Sequence, residues 1–176
     1  MSESPRLSLW ALLSAHDSNI YRADTKQLVG GGWVGTFEPH VTLLESLTGE
    51  VVEREAFEAT AAATLPFSIE LTGLATTAAY FRCVVAVVSP RDGIVSLRSE
   101  LVRRLGRDSS DYWPHLSLVY GELGDEAREQ LASGVAAKFP AVATIDKICL
   151  DDTGGELALE WPVLATWHRG RRSEYS

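Results

Sequence analysis

The residues best suited to chemistry come in two matched sets. Residues 38–45 read EPHVTLLE and residues 113–120 read WPHLSLVY. Pro39-His40-Val41-Thr42-Leu43 and Pro114-His115-Leu116-Ser117-Leu118 share Pro-His, an aliphatic residue, a hydroxyl residue and Leu. The chain has four histidines, and two of them stand in this one context. We read the recurrence as an internal duplication, each half supplying one imidazole and one hydroxyl to a common site. Imidazole titrates nearest neutral pH, so a facing pair can divide the duties of base and acid. Hydroxyls donate hydrogen bonds to anionic oxygen without adding charge. In-line displacement at a phosphodiester needs this set: one His deprotonates water and the other protonates the departing alkoxide.

One His-x-Thr alone would ordinarily be a half-exposed surface pair; its repetition is what favours a site. Both segments are rich in β-branched and aliphatic residues and read as strands. Residues two apart on a strand share a face. His40 therefore projects with Thr42, and His115 with Ser117, while Val41, Leu43, Leu116 and Leu118 turn the other way into a core. Pro lacks the N–H of a central ladder position, so Pro39 and Pro114 mark strand entry.

The elements that must position these strands follow from the pattern around them. Leu7–Ser14 reads as a first strand. Residues 15–36 are polar, end in Gly30-Gly31-Gly32, and read as a loop with at most one irregular helix. Val52–Leu65 is Ala- and Glu-rich without internal Gly or Pro, and reads as a helix. Phe67–Leu74 and Ala79–Ser89 read as strands. Ile94, Leu97, Leu101 and Leu105 recur at helical spacing, with Gly106 as the stop. Ala127, Leu131, Val135 and Phe139 form one apolar stripe on a third helix. Thr144–Asp151 and Glu156–Trp167 read as the last strands, with a hairpin turn at Asp152-Thr153-Gly154-Gly155, and the tail from His168 reads as mobile. This order predicts an α+β fold with antiparallel sheets covered by helices on one face, the uncovered face carrying the histidines.

Composition narrows the partners. The 176 residues suit a single domain, and 45% hydrophobic with 23% charged residues suffices for a core. A net charge of −8 does not suit extended nucleic acid, which is held by broad basic surfaces. A small phosphate-bearing substrate fits better. Apolar runs are too short to cross a membrane, and the start of the chain does not read as a signal peptide, so we expect a cytoplasmic protein, acting as a monomer. Cys83 and Cys149 lie in apolar segments and read as buried free thiols. His16 and His168 read as solvated, and Arg82 as a partner for a phosphate or an acidic neighbour. Neither motif carries the adjacent carboxylate or extra His of a metal cluster, so no metal or other cofactor is expected.

The doubled motif resembles that of the 2H phosphoesterases. LSLWAL, FEPHVTL, YFRCVV and YWPHLSLVYGEL are similar, in order, to segments of their cyclic nucleotide phosphodiesterase branch, from about Leu7 to Trp167. The resemblance implies a bilobal, pseudo-twofold fold, with two antiparallel sheets lining a central cleft and helices on the outer faces. It also implies metal-independent opening of a nucleoside 2′,3′-cyclic phosphate, or of ADP-ribose 1″,2″-cyclic phosphate, to a single monoester, the 2′-phosphate for the former. His40 and His115 would be the acid–base pair, with His115 as base and His40 as acid. Thr42 and Ser117 would hold phosphate oxygens, and Trp10, Phe81 and Tyr120 would line the cleft. Strict alternation places Tyr120 opposite His115, so its inclusion requires a bulge or twist at the strand end. The alternatives are the RNA-end branch of the same superfamily and a nucleotide-binding module without turnover.

Overall fold

A computed structural model describes residues 6–28, 37–90, 93–108, 111–139, 141–154 and 162–169. These residues form seven strands and four α-helices. They are β1 (Leu7–Leu13), α1 (Ala15–Leu28), β2 (His40–Leu47), α2 (Val51–Ala63), β3 (Phe67–Thr76) and β4 (Val84–Val88). There follow α3 (Gly93–Leu105), β5 (His115–Val119), α4 (Asp125–Val135), β6 (Ala141–Asp152) and β7 (Val163–His168). None of the described helices is long and apolar enough to cross a membrane.

The strands form one sheet in the order β1-β2-β5-β4-β3-β6-β7, and β6 also pairs with β1. Six strands therefore close into a ring, every ladder antiparallel. Two separate sheets facing across a cleft, as the resemblance implied, are not found. Length is the reason: β6 is long enough to serve both halves. Ala141–Ile145 pair with β3, Lys147–Asp151 pair with β7, and the opposite edge pairs with β1. The two halves meet again at β2–β5, where Val41 and Leu116 make the one bridge.

Alternation divides the sheet's two faces. Leu9, Ala11, Leu13, Val41, Leu43, Leu116 and Leu118 join the main core together with Phe57 of α2, Ile94, Leu97 and Leu101 of α3, and Val135 of α4. Burying a Leu, Ile or Phe side chain contributes roughly 1.5–3 kcal/mol, so this face carries the stability. The opposite face holds a separate small cluster of Trp10, Leu12 and Cys149, and there the motif side chains project.

Helices α2 and α3 match the sequence expectation. Gly106 stops α3 in left-handed conformation at φ 59°, and the Arg107 N–H returns to the Val102 carbonyl at 3.0 Å. Two stretches differ from expectation. Residues 15–28 form a full helix, with the Ser14 side chain capping its first turn. The Asp17 N–H donates to Ser14 Oγ (3.2 Å), whose hydroxyl donates to Asp17 Oδ2 (2.8 Å), and the same carboxylate accepts the Thr144 N–H from β6. The strand expected from Ala79 begins only at Val84, because Tyr80–Arg82 wind into a 3-10 turn. Gly30–Gly32, the start of the expected last strand, Gly155 of the expected turn and the tail beyond Arg169 lie outside the described residues.

Candidate active site

Val41 pairs with Leu116 in antiparallel register, so the residues flanking that bridge meet crosswise. His40 comes beside Ser117, and Thr42 beside His115. The duplicated phrase thus becomes two imidazoles and two hydroxyls on the uncovered face of adjacent strands. All seven residues expected at the site, His40, Thr42, His115, Ser117, Trp10, Phe81 and Tyr120, line a single cleft of about 470 Å³. Arg82 lines it too. His16 and His168 are exposed and line no part of it.

Both imidazoles are held in the same way. His40 Nδ1 donates to the Glu38 carbonyl at 2.7 Å, and His115 Nδ1 donates to the Trp113 carbonyl at 2.8 Å. A carbonyl only accepts, so the proton of each neutral ring sits on Nδ1 and leaves Nε2 with its lone pair. In each case the acceptor lies two residues upstream, across the motif's proline. Glu38 is itself fixed from α1, accepting the Ser18 hydroxyl at 3.0 Å and pairing with Arg22. Tyr112 fixes the second motif by donating its hydroxyl to the Thr42 carbonyl at 2.9 Å.

Aromatic rings close over this arrangement. Trp10 stacks on His40 with centroids 3.6 Å apart and planes at 7°. Phe37 meets the His40 edge at 6.2 Å and stacks on Tyr120 at 4.0 Å, and Phe81 packs edge-on against Tyr120 at 5.4 Å. The bulge that Tyr120 requires is present: β4 pairs Val84 with Val119 and Val85 with Ser117, so β5 carries one extra residue between them. Val119 turns into the core and Tyr120 turns into the cleft. Phe81 arrives from the 3-10 turn rather than from a strand, which lets Phe81 and Arg82 face the cleft together.

The two histidines are not equivalent. His40 is 5% exposed, and burial, then the nearby His115, bring its pKa down to about 3. His115 is only partly buried; burial lowers its pKa as well, but its bond to the Trp113 carbonyl and the neighbouring Glu45 work against the shift. Burial thus disfavours the charged form more strongly at His40 than at His115. Ser117 donates its hydroxyl to the Phe81 carbonyl at 2.9 Å, tying β5 to the 3-10 turn. Thr42, half-buried, lines the cleft. Among the described residues no three His, Cys, Asp or Glu side chains converge as a metal would require.

Sequence reading missed Phe37, Tyr80, Trp113 and Tyr112. Phe37 and Trp113 stand two and one residues outside the repeated Pro-His phrase, and Tyr80 beside Phe81, so proximity to the motif was the available signal.

The fold and the paired histidines define a 2H phosphoesterase. The sequence profile described as the 2′-5′ RNA ligase superfamily matches residues 21–156, and the chain belongs to that family. No curated protein matches the chain. Solved structures of similar fold include one described as a phosphoesterase, with 14% identity over 96% of this chain and 100% of that one, at a TM-score of 0.60. Escherichia coli LigT complexed with 3′-AMP is 14% identical over 96% and 100% of the two chains, at a TM-score of 0.57. A protein of Thermus thermophilus is 16% identical over the same shares, at a TM-score of 0.61.

Proposed function

We propose that this protein hydrolyses a cyclic phosphodiester, a nucleoside 2′,3′-cyclic phosphate or ADP-ribose 1″,2″-cyclic phosphate, to a phosphomonoester. The observation that carries this reading is the matched pair of imidazoles in one cleft. Each has Nδ1 committed to a backbone carbonyl, so each has Nε2 left for the substrate.

His40, neutral because it is buried, takes a proton from water as the water attacks phosphorus. His115, where the pair's single proton rests, gives it to the departing ribose oxygen. This order reverses the one expected from sequence, and burial is the reason. Thr42 hydrogen-bonds a non-bridging oxygen, and Ser117 joins it by turning its hydroxyl from the Phe81 carbonyl. Trp10, Phe81 and Tyr120 hold the base and ribose. These groups supply every role without a metal or cofactor, and all come from one chain, which we propose acts as a monomer in the cytoplasm.

Membership of the 2′-5′ RNA ligase superfamily favours a second reading, action on RNA ends. The net charge of −8 favours the small nucleotide. Similarity in fold to LigT, seen with 3′-AMP, supports a nucleotide in this cleft. Phosphorus NMR of 2′,3′-cyclic AMP incubated with the protein in excess chelator tests the proposal. The expected result is a single product, the 2′-phosphate. Absence of hydrolysis, or hydrolysis only after adding a divalent ion, would overturn it.

A further inference from the structure

Resting on the reading above, we infer that Glu45 sets the charge specificity of the cleft. Its carboxylate keeps the doubly charged monoester product from outbinding the singly charged diester substrate.

The backbone shows how an acidic side chain comes to be there. Alternation counted from His40 sends Val41, Leu43 and Glu45 together toward the core. Glu45 does not follow. Strand β2 slips in register against β1 between the Leu7–Leu47 and Leu9–Leu44 pairs, and again before the Trp10–Thr42 pair. Leu43, Leu44 and Leu47 therefore all enter the core, while Glu45 and Ser46 line the cleft with Thr42 and His115. Ser46 adopts φ 56° in doing so, the one left-handed residue other than glycine among those described. Bulges re-aim side chains next to active sites, and left-handed backbone outside glycine stores strain there.

A carboxylate has the wrong sign to hold phosphate, so at this position it acts by repulsion. None of the ion pairs among the described residues involves Glu45. Its field reaches the catalytic pair. Burial lowers the His115 pKa most, the bond to the Trp113 carbonyl opposes this, Arg82 adds to the lowering, and Glu45 opposes it. Opening a cyclic diester with one negative charge yields a monoester whose second proton leaves at about pH 6. Arg82, lining the same cleft, would by itself hold the product's two charges more tightly than the substrate's one. Glu45 offsets that preference, and product leaves.

Calorimetry at pH 8 with two ligands that need no turnover tests this. Adenosine 2′-monophosphate carries two charges; adenosine 2′-methylphosphonate, with a methyl in place of one oxygen, carries one. Coulomb energy is proportional to ligand charge, so the gain for the dianion is the square of that for the monoanion. Glu45→Gln should tighten the monophosphate about tenfold and the methylphosphonate about threefold. Glu45→Asp should leave both affinities near those of the unaltered protein, and high salt should shrink the gains. Glu45 is exposed, so neither substitution threatens folding. Equal tightening of the two ligands, no tightening, or weaker binding of the monophosphate would overturn the inference. If 2′,3′-cyclic AMP is not hydrolysed while the tenfold and threefold gains hold, the catalytic reading falls and charge selection stands. Hydrolysis with equal gains gives the reverse.

Discussion

Trp10 lies flat on His40, 3.6 Å between ring centroids, and covers one face of the imidazole. The contact is diagonal: β1 sets Trp10 opposite Thr42, and the indole reaches across to the neighbouring residue on the same face. It adds to the burial that brings the His40 pKa down to about 3.

Proton NMR of the imidazole C2–H signals reads this asymmetry. His115 should titrate somewhat below the usual histidine value of 6.5, and His40 should remain neutral to about pH 4. A His40 transition near pH 6 would show that Trp10 does not shield it as the geometry requires.

Removing either imidazole should be costly. His40→Ala and His115→Ala should each lower kcat by about 10²–10⁴, the range for a general acid or base. The double variant should lose less than the product of the two, because the residues act as a unit. Full activity in a folded His40→Ala protein would remove His40 from the mechanism.

The seam between the motif strands should be sensitive to its side-chain tie. Val41–Leu116 is the one bridge between β2 and β5, and the Tyr112 hydroxyl supplements it by donating to the Thr42 carbonyl. Tyr112→Phe should cost about 1 kcal/mol in urea denaturation, as for an ordinary hydrogen bond. It should lower kcat as well, since Thr42 lies beside His115. Loss of stability with unchanged kcat would show that the seam does not depend on this bond for its alignment.

Stability against pH should show two opposed effects. His40 has a folded pKa of about 3 against 6.5, so the unfolded chain binds its proton first. Its contribution is complete above pH 6.5 and is lost toward pH 3, at roughly 1.4 kcal/mol per unit. Asp151, buried and accepting the Cys149 thiol at 2.7 Å, is raised from 3.8 to about 6 by burial. There the folded state binds the proton first, so stability is gained as pH falls from about 6 toward 3.8. The two should nearly cancel between pH 4 and 6. Asp151→Asn should stabilise the protein at pH 7 by on the order of 2 kcal/mol and expose the full acid slope of His40. A variant whose denaturation midpoints track the unaltered protein at every pH would show that Asp151 ionises without penalty.

The sequence by itself determined what is local. Period-two alternation put His40 with Thr42 and His115 with Ser117, because successive side chains on any strand point to opposite faces. An Ala- and Glu-rich run without Gly or Pro set α2, apolar residues at helical spacing set α3, and Gly106 ended α3 because a residue without Cβ enters the left-handed region freely. The chemistry of the pair was legible too, since imidazole and hydroxyl carry it wherever they meet. The Ser14–Asp17 cap that starts α1 was also written in the chain, but the polar composition around it hid the helix, which is made stable by burying Ser18 and Tyr21. Tertiary structure alone decided the rest. Closure into a ring depends on β6 pairing with both β1 and β3, and strand partners are chosen by long-range packing that no local pattern encodes. The turn of Tyr120 into the cleft depends on a bulge that exists only against β4. The unequal burial of two histidines in near-identical sequence involves Trp10, a β1 residue that stacks on one and not the other.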